Sequence, residues 1–296
     1  MLTCPHCERP LTRDGQVFRC QQGHAFDLAR EGYVNLLRRP SKLPSDTKDM
    51  LMARRRFLAR GYYQPLAEAI SATVRDWLPA HGNGGQVEGG ILDAGCGEGY
   101  FTRAVAQVVA DTFPERQVYG VDLSRDAVRL AGVARPAPDG ATPAIREPVW
   151  AVSNIRERLP FADASMAAII NVFAPHNAQE FGRLLQPAGL LLMIVPDAQH
   201  LAEARDPLRL LTIQPDKRSH LLAQVGDHFS LAKEQSLTYE MTLDAMAQDD
   251  LRRMTPQKPI GRGAPATEIT PLESGAPTLL VTRAAFLLFA LERRIL

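Results

Sequence analysis

Four residues that can bind a metal ion lie within the first 24 positions of the chain. Two residues lie between Cys4 and Cys7, and three lie between Cys20 and His24. Twelve residues separate the first pair from the second. Thiolate and imidazole ligands at such short spacings can share one tetrahedral ion, and this ligand set favours zinc in a reducing compartment. Four protein ligands would close the site, so we predict a structural zinc ion. The alternatives are His6 as a replacement ligand, or reduced cysteines without metal.

A glycine-rich loop lies between a short apolar run and a helical pattern. Its residues are Asp93, Gly95, Cys96, Gly97, Glu98 and Gly99, followed by Tyr100. Glycines permit a tight turn and let a ligand approach the backbone closely. A dinucleotide-binding loop would have glycine at position 100, whereas the G-x-G-x-G pattern here resembles motif I of class I methyltransferases. The loop therefore predicts an S-adenosylmethionine site, with a tight turn that binds no ligand as the alternative.

Asp122 follows Asp93 by 29 residues and ends the second predicted strand. A carboxylate at this place can accept hydrogen bonds from both hydroxyls of a ribose, and it would repel a phosphorylated ribose. The glycine loop and Asp122 together strengthen the prediction of an adenosyl cofactor. Cys96 is predicted to be a small loop residue rather than a nucleophile.

The elements that position these residues alternate from residue 89 onward. β-Rich runs occur at 91–94, 117–121, 149–152, 167–173 and 190–195, and helical patterns at 100–110, 124–133 and 178–185. This alternation predicts an α/β fold with a mostly parallel sheet covered by helices on both faces. Helices are also predicted at 49–58 and 65–78, a loop at 81–85, and a last strand at 278–281.

Composition and charge define the class of protein. The chain has 296 residues, of which 45% are hydrophobic and 23% charged, as in soluble globular proteins. It contains no apolar run long enough to span a membrane and does not begin like a secretion signal, so we expect a cytoplasmic protein with no membrane partner. Residues 1–60 carry 12 Lys and Arg against 6 Asp and Glu, while the remainder has a net charge of −5. This asymmetry predicts contact with a polyanion, with a solvated helix face as the alternative.

The N-terminal sequence resembles that of the bacterial 23S rRNA (guanine-N1)-methyltransferases. The likeness depends on the cysteine and histidine spacing joined to Glu31-Gly32-Tyr33-Val34-Asn35-Leu36. It continues through 52–58, 61–66, 93–100, 159–161, 174–175 and 254–256. The similarity is good from residue 1 to about 200 and thin beyond.

The resemblance implies a class I (Rossmann-like) methyltransferase with a seven-stranded, mostly parallel sheet and a small zinc module. It implies a homodimer that methylates N1 of a guanine in a 23S rRNA hairpin, and a cofactor pocket lined by Tyr63, Gly99, Tyr100 and His200. We accordingly divide the chain into a zinc module (1–36), a basic linker with helices (37–88) and a methyltransferase domain (89–296). The zinc module and the basic segment would contact RNA. The candidate basic residues are Arg38, Arg39, Lys42, Arg54, Arg55, Arg56 and Arg60.

The remaining questions concern the target base and the chemistry. Residues 257–262 lack the aromatic residues that the family usually has there, and Ala167 occupies a position that is often acidic, so the choice of guanine stays open. The loop 171–177 follows the fourth strand, where such enzymes receive their substrate, and His176 is the candidate proton acceptor. Two alternatives are a small-molecule methyltransferase and an RNA-binding protein whose methyltransferase domain is inactive.

Overall fold

The N-terminal part of the chain forms a small antiparallel sheet. The structure is a computed structural model that describes residues 2–41, 43, 46–80, 89–133, 146–212, 216–255 and 278–294. The small sheet consists of β1 (Leu11–Asp14), β2 (Val17–Cys20) and β3 (Ala25–Asp27), in that order. Gly15 takes a φ of 58° in the tight turn between β1 and β2, a conformation in which glycine is the least strained residue.

The rest of the chain is organised around one eight-stranded sheet. Its strands are β4 (Tyr33–Asn35), β5 (Gly90–Ala94), β6 (Val118–Asp122), β7 (Val149–Val152), β8 (Met166–Val172), β9 (Leu185–Pro196), β10 (Phe229–Asp244) and β11 (Leu279–Arg293). They lie in the order β10-β11-β9-β8-β5-β6-β7-β4. The neighbouring pairs from β9 to β4 are parallel, and β11 runs antiparallel to both β9 and β10. The mostly parallel sheet predicted from the sequence is confirmed, and β4 adds one strand at its edge.

The order of the strands explains where a ligand would bind. From β5 the chain continues to β6 and β7 on one side, and then returns to build β8 and β9 on the other side. In open α/β sheets the crevice at such a reversal, at the carboxyl ends of the strands, is the usual ligand site. The glycine-rich loop follows β5 and therefore lies at this point.

Seven α-helices are present in the described part of the chain. They are α1 (Lys48–Ala59), α2 (Gln64–Ala80), α3 (Tyr100–Thr112), α4 (Arg125–Gly132), α5 (Ala178–Leu184), α6 (Lys217–Val225) and α7 (Ala245–Met254). Several begin at a polar residue whose side chain accepts a free backbone N–H of the first turn, a local signal that fixes the start of a helix. These caps are Thr47, Ser124, Asn177 and Asp244. None of the described helices is long and apolar enough to cross a membrane.

Apolar side chains cover both faces of the sheet. One face packs against α2, α3, α4 and α7, with Ile70, Val105 and Val128 among the fully buried residues. The opposite face packs against α5, α6 and the N-terminal module, and Leu92 and Phe181 are buried there. The helices expected on both faces are therefore observed, and the N-terminal module supplies part of one layer.

The predicted elements are present, with longer strands near the C-terminus. The last strand, predicted at 278–281, extends over Leu279–Arg293, and its partner β10 had no predicted counterpart. β10 is exposed at eight of its 16 positions and buried at three, so its sequence does not show the continuous buried face of a central strand. The predicted loop at 81–85 lies outside the described residues.

Candidate cofactor and metal sites

The four predicted metal ligands converge in the N-terminal module. One ligand atom from each of Cys4, Cys7, Cys20 and His24 lies within 4.8 Å of the others. The Sγ atoms of Cys4 and Cys20 are each 3.4 Å from His24 Nδ1, and the Sγ atoms of Cys7 and Cys20 are 3.6 Å apart. Zinc–sulfur bonds of about 2.3 Å give a tetrahedron with edges of roughly 3.7 Å, so these separations fit one closed Zn²⁺ site.

His6 lies outside this cluster although it stands between two of the ligands in the sequence. Its exposed ring stacks on Phe26, with the ring centroids 5.8 Å apart. Tight turns present the ligands instead: Glu8 N–H donates to Cys4 O at 2.8 Å, and Gly23 N–H donates to Cys20 O at 3.0 Å. The donor set that the structure assembles is therefore the predicted three sulfurs and one imidazole.

The metal cluster also attaches the module to the main sheet. Cys4 and Cys20 are buried in the same apolar cluster as Phe161 and Leu92. Thr3 N–H donates to the carbonyl of residue 160 at 2.8 Å. A metal ion at this place would hold together residues that cover one face of the main sheet, which is a structural role.

The three glycines of the loop after β5 each have a positive φ, and they differ in what surrounds them. A Cβ atom on Gly95 would lie 2.3 Å from Ala174 Cβ, and one on Gly99 would lie 2.7 Å from the ring of Trp150. Above Gly97 the nearest atom to such a Cβ is Arg54 Nη1, at 3.9 Å. Gly95 and Gly99 thus allow close packing, whereas the space over Gly97 is open to a ligand.

Asp93, at the end of β5, has a carboxylate oxygen suited to a cationic ligand. Thr102 Oγ1 donates to Asp93 Oδ2 at 2.6 Å, while the buried Oδ1 has no hydrogen-bond partner among the described residues. The pKa of this carboxyl is raised to about 7, chiefly because burial disfavours its charge; the Thr102 hydrogen bond lowers the pKa, and the charge of Asp122 raises it. An unpaired buried oxygen is unfavourable, and the α-ammonium group of S-adenosylmethionine would satisfy it.

Asp122 is held in a fixed orientation at the end of β6. Its Oδ2 accepts the backbone N–H of Gly97 at 3.0 Å, and its Oδ1 accepts that of Ser124 at 2.8 Å. Burial raises the pKa of Asp122, and these two backbone donors lower it. Each oxygen retains a lone pair for a further donor, as the two hydroxyls of a ribose require. The donor set and the glycine cradle therefore fit S-adenosylmethionine.

Tyr63 and His200 form a buried pair, although 137 positions separate them in the chain. Tyr63 Oη is 3.1 Å from His200 Nε2, and Ala285 N–H donates to His200 Nδ1 at 3.2 Å. Burial lowers the pKa of His200 to about 3, so the ring is neutral. Because Nδ1 accepts, Nε2 carries the proton and donates to Tyr63. The hydroxyl proton of Tyr63 is then available to another acceptor.

The loop after β8 joins this pair to the glycine loop. Asn171 Nδ2 donates to Ala94 O at 2.8 Å and to the carbonyl of residue 175 at 3.0 Å. Phe173 has a φ of 53° and is 44% exposed, and its ring centroid is 6.4 Å from that of Tyr63. His176 is partly buried, which lowers its pKa, and a hydrogen bond that the imidazole donates to the Gln224 side chain raises it.

Asn171 and Phe173 belong to the predicted substrate loop 171–177, but neither residue is predicted individually from the sequence. A buried amide within an apolar strand is a signal for Asn171, because such a group needs a partner. The position of Phe173 depends on its backbone conformation, which no local pattern indicates. Glu98 is buried, and Tyr100 begins α3.

The basic residues divide into two groups. Two arginines of α1 and the residue that follows the helix make ion pairs within the chain: Arg54 with Asp46 at 2.5 Å, Arg56 with Asp250 at 2.5 Å, and Arg60 with Asp244. Arg38 and Arg39 are exposed and line a cavity of about 370 Å³ together with Arg125. Arg55 is partly buried, and Lys42 lies outside the described residues. Contact of any of these side chains with RNA stays a prediction.

The strand order, the glycine cradle at its reversal and the carboxylates that end β5 and β6 define a class I S-adenosylmethionine-dependent methyltransferase, here joined to a zinc-binding module. Two family models match the chain. The model of the zinc ribbon described as "RlmA, N-terminal" matches residues 2–42, and the one described as "Methyltransferase domain" matches residues 91–189.

Three relatives then identify the family. The Streptomyces fradiae protein named 23S rRNA (guanine(748)-N(1))-methyltransferase is 38% identical over 82% of this chain and 80% of its own length. Two proteins provisionally named 23S rRNA (guanine-N(1)-)-methyltransferases, from Micromonospora griseorubida and Bacillus subtilis, are 35% and 31% identical. They cover 82% and 86% of this chain, and 81% and 86% of their own lengths. The chain belongs to the 23S rRNA (guanine-N1)-methyltransferase family.

Proposed function

We propose that the protein transfers a methyl group from S-adenosylmethionine to N1 of a guanine in 23S rRNA. The observation that carries the proposal is the combination of two sites in one fold. A zinc module that matches the RlmA N-terminal model packs on the main sheet. The same sheet holds the glycine loop, where Asp93 Oδ1 is buried without a hydrogen-bond partner in the described part of the chain. The named activity of the Streptomyces fradiae relative supports the same base and the same nitrogen.

The chain must position the base and accept one proton. When bound, S-adenosylmethionine supplies a methyl group already activated by its sulfonium charge, so positioning accounts for most of the acceleration. N1 of neutral guanine carries a proton that has to leave, and a general base near that atom would receive it. We propose His176 for this role, because it lies in the loop after β8, where the crevice opens, and partial burial lowers the pKa of its imidazole, which favours the neutral form that can accept a proton.

We further propose that Phe173 faces the target base. It follows the end of β8, where the crevice at the strand reversal opens, and its ring is far more exposed than the neighbouring Tyr63 and Phe286. A positive φ is uncommon for an aromatic residue, and such strain is often found at ligand contacts. Recognition of a single base in RNA commonly uses stacking on an aromatic ring.

Replacing Phe173 with leucine is expected to lower kcat/KM for RNA by about 5- to 160-fold, since stacking of one base contributes roughly 1–3 kcal/mol. Phe173→Gly is the matched control for stability, because glycine removes the ring and also relieves the positive φ. Both variants should keep the wild-type Kd for S-adenosylhomocysteine, measured by calorimetry. Unchanged RNA kinetics in both would reject the stacking role.

The proposal extends to the assembly, the domain division and the location of the protein. The family resemblance supports a homodimer, domain boundaries near residues 36 and 88, RNA contacts by the basic segment, and a cytoplasmic site of action. Light scattering of the purified chain with and without an rRNA fragment would report the oligomeric state directly.

The decisive experiment measures transfer of tritium from labelled S-adenosylmethionine to unmodified 23S rRNA, with nucleoside analysis of the product. We expect the label in 1-methylguanosine, and 16S rRNA as the control should remain unlabelled. If the protein binds the cofactor but leaves 23S rRNA unlabelled, the RNA assignment is wrong and a small-molecule substrate takes its place. If it does not bind the cofactor, the interpretation as an inactive methyltransferase domain replaces both.

A further inference from the structure

Arg54 lies at the cofactor loop and not on the outer surface of α1. Its Nη1 is the atom nearest to the open space above Gly97, 3.9 Å from the position that a Cβ there would take. The same Nη1 donates to Asp46 Oδ2 at 2.5 Å, and Nη2 lies 3.4 Å from Met254 O. The guanidinium is thus held at the mouth of the cradle by an acid that precedes α1 and by the carboxyl end of α7.

The electrostatic effects of Arg54 agree with this position. Burial raises the pKa of Asp122, and the charge of Arg54 lowers it. Burial likewise raises the pKa of Tyr63, and Arg54 again lowers it. The guanidinium is therefore close to Asp122, the proposed ribose contact, and to Tyr63, a proposed residue of the pocket wall.

The carboxylates around the glycine loop would repel the carboxylate of the cofactor, and Arg54 can compensate this repulsion. Asp46, Asp93 and Asp122 place three carboxylates around the cradle, whereas the methionine part of the cofactor carries a carboxylate of its own. An anionic group enters such a site only if a cation compensates it. A guanidinium can bind a carboxylate through two parallel N–H donors, which also fixes its orientation.

We infer that Arg54 binds the carboxylate of the methionine part of S-adenosylmethionine, and that Asp46 holds the guanidinium in place until the cofactor replaces it. Both side chains of the Arg54–Asp46 pair are about one-third exposed, at 28% and 32%. An ion pair that exposed contributes little to stability, so the exchange of partners is inexpensive. The inference rests on the methyltransferase assignment, and it assigns Arg54 to the cofactor and not to RNA.

The test compares two ligands that differ only in the carboxylate. S-Adenosylhomocysteine has it, and its decarboxylated analogue, S-adenosyl-3-thiopropylamine, lacks it. We expect the wild type to prefer S-adenosylhomocysteine by about 10- to 100-fold, as for a hydrogen-bonded charged pair. Arg54→Met should lose this preference, with weaker binding of S-adenosylhomocysteine and unchanged binding of the analogue. Arg54→Lys should recover part of it.

Asp46→Asn and Arg75→Met complete the design. Removal of the competing carboxylate of Asp46 should tighten S-adenosylhomocysteine binding, an effect that loss of stability cannot produce. Arg75 forms an exposed ion pair with Asp76 on α2, roughly 17 Å along the helix from Gln64. Its replacement should leave both Kd values within about twofold of wild type, as expected for an exposed pair.

The outcomes separate this inference from the proposed function, because no RNA is present in the titration. An Arg54→Met protein that keeps the wild-type preference overturns the inference, as does equal loss of both ligands, which would show a purely structural role. In a separate binding measurement, an Arg54→Met protein that loses affinity for a 23S rRNA fragment but keeps the wild-type ligand preference would assign Arg54 to RNA binding instead. A wild type that binds neither ligand would reject the cofactor assignment and the inference together.

Discussion

Replacing Cys20 with serine is expected to abolish zinc binding and to unfold the N-terminal module. Cys20 is 7% exposed and lies in the apolar cluster that joins the module to the main sheet. A sheet of three short strands has too small a core to fold alone, so metal binding supplies much of its folding free energy. Zinc content should fall from one ion per chain to near zero, and RNA methylation should be lost. Binding of S-adenosylhomocysteine should persist, since the cradle is built on β5 and β6.

Cys96→Ser is the matched control for this experiment. Cys96 is also buried, but it lies in the glycine loop beside Trp150 and far from the cluster of ligands in the chain. The same chemical change there should leave the zinc content at one. A Cys20→Ser protein that still binds one zinc ion would contradict the proposed ligand set. Loss of that ion on further replacement of His6 would then identify His6 as the substitute ligand.

The sequence predicts the parts of both sites whose residues lie close together along the chain. The metal ligands come in pairs separated by two or three residues, and a turn of that length can present only a few geometries. The glycine loop joins a strand to the helix that follows it, so its conformation is also determined locally. For these features residue type and spacing suffice, and the structure assembles the predicted ligands and the predicted cradle.

Contacts between residues that are far apart in the sequence cannot be predicted from residue type and spacing. Tyr63 meets His200 across 137 positions, and Arg56 meets Asp250 across 194. The charge excess of the first 60 residues reflects their many arginines, but it does not show that Arg56 and Arg60 pair with acids on α7 and β10. The candidate RNA-binding residues inferred from composition therefore include three that form ion pairs within the chain, Arg54, Arg56 and Arg60.

The second large effect is expected at Asp93. Asp93→Asn keeps the shape of the side chain and an oxygen for the contact with Thr102, but it removes the negative charge that would face the ammonium group of the ligand. We expect the Kd for S-adenosylhomocysteine to rise by about 10- to 100-fold, as when one member of a charged hydrogen-bonded pair is lost. Asp111→Asn, an exposed position on α3, should bind like the wild type.

The pH dependence gives this prediction a second readout. The carboxyl of Asp93 has a pKa of about 7 because burial disfavours its charge, and only the charged form attracts the ammonium group. The wild-type Kd should therefore rise about tenfold between pH 8 and pH 6, while that of Asp93→Asn changes much less. A wild-type Kd that does not depend on pH in this range would exclude Asp93 as the ammonium contact.

The raised pKa of Asp93 also predicts that the stability of the ligand-free protein falls as the pH rises, whereas its affinity for the ligand increases. A carboxyl whose pKa rises on folding favours the folded state below its unfolded value near 4, and this contribution is lost as the pH rises through 7. Without ligand, the free energy of unfolding of the wild type should thus fall between pH 5 and pH 8, whereas Asp93→Asn should lack this decline. At pH 8 the variant should melt above the wild type and yet bind the ligand more weakly. A variant that melts below the wild type at pH 8 would show that the buried charge is compensated within the protein, and the unpaired Oδ1 would not be a site prepared for a cation.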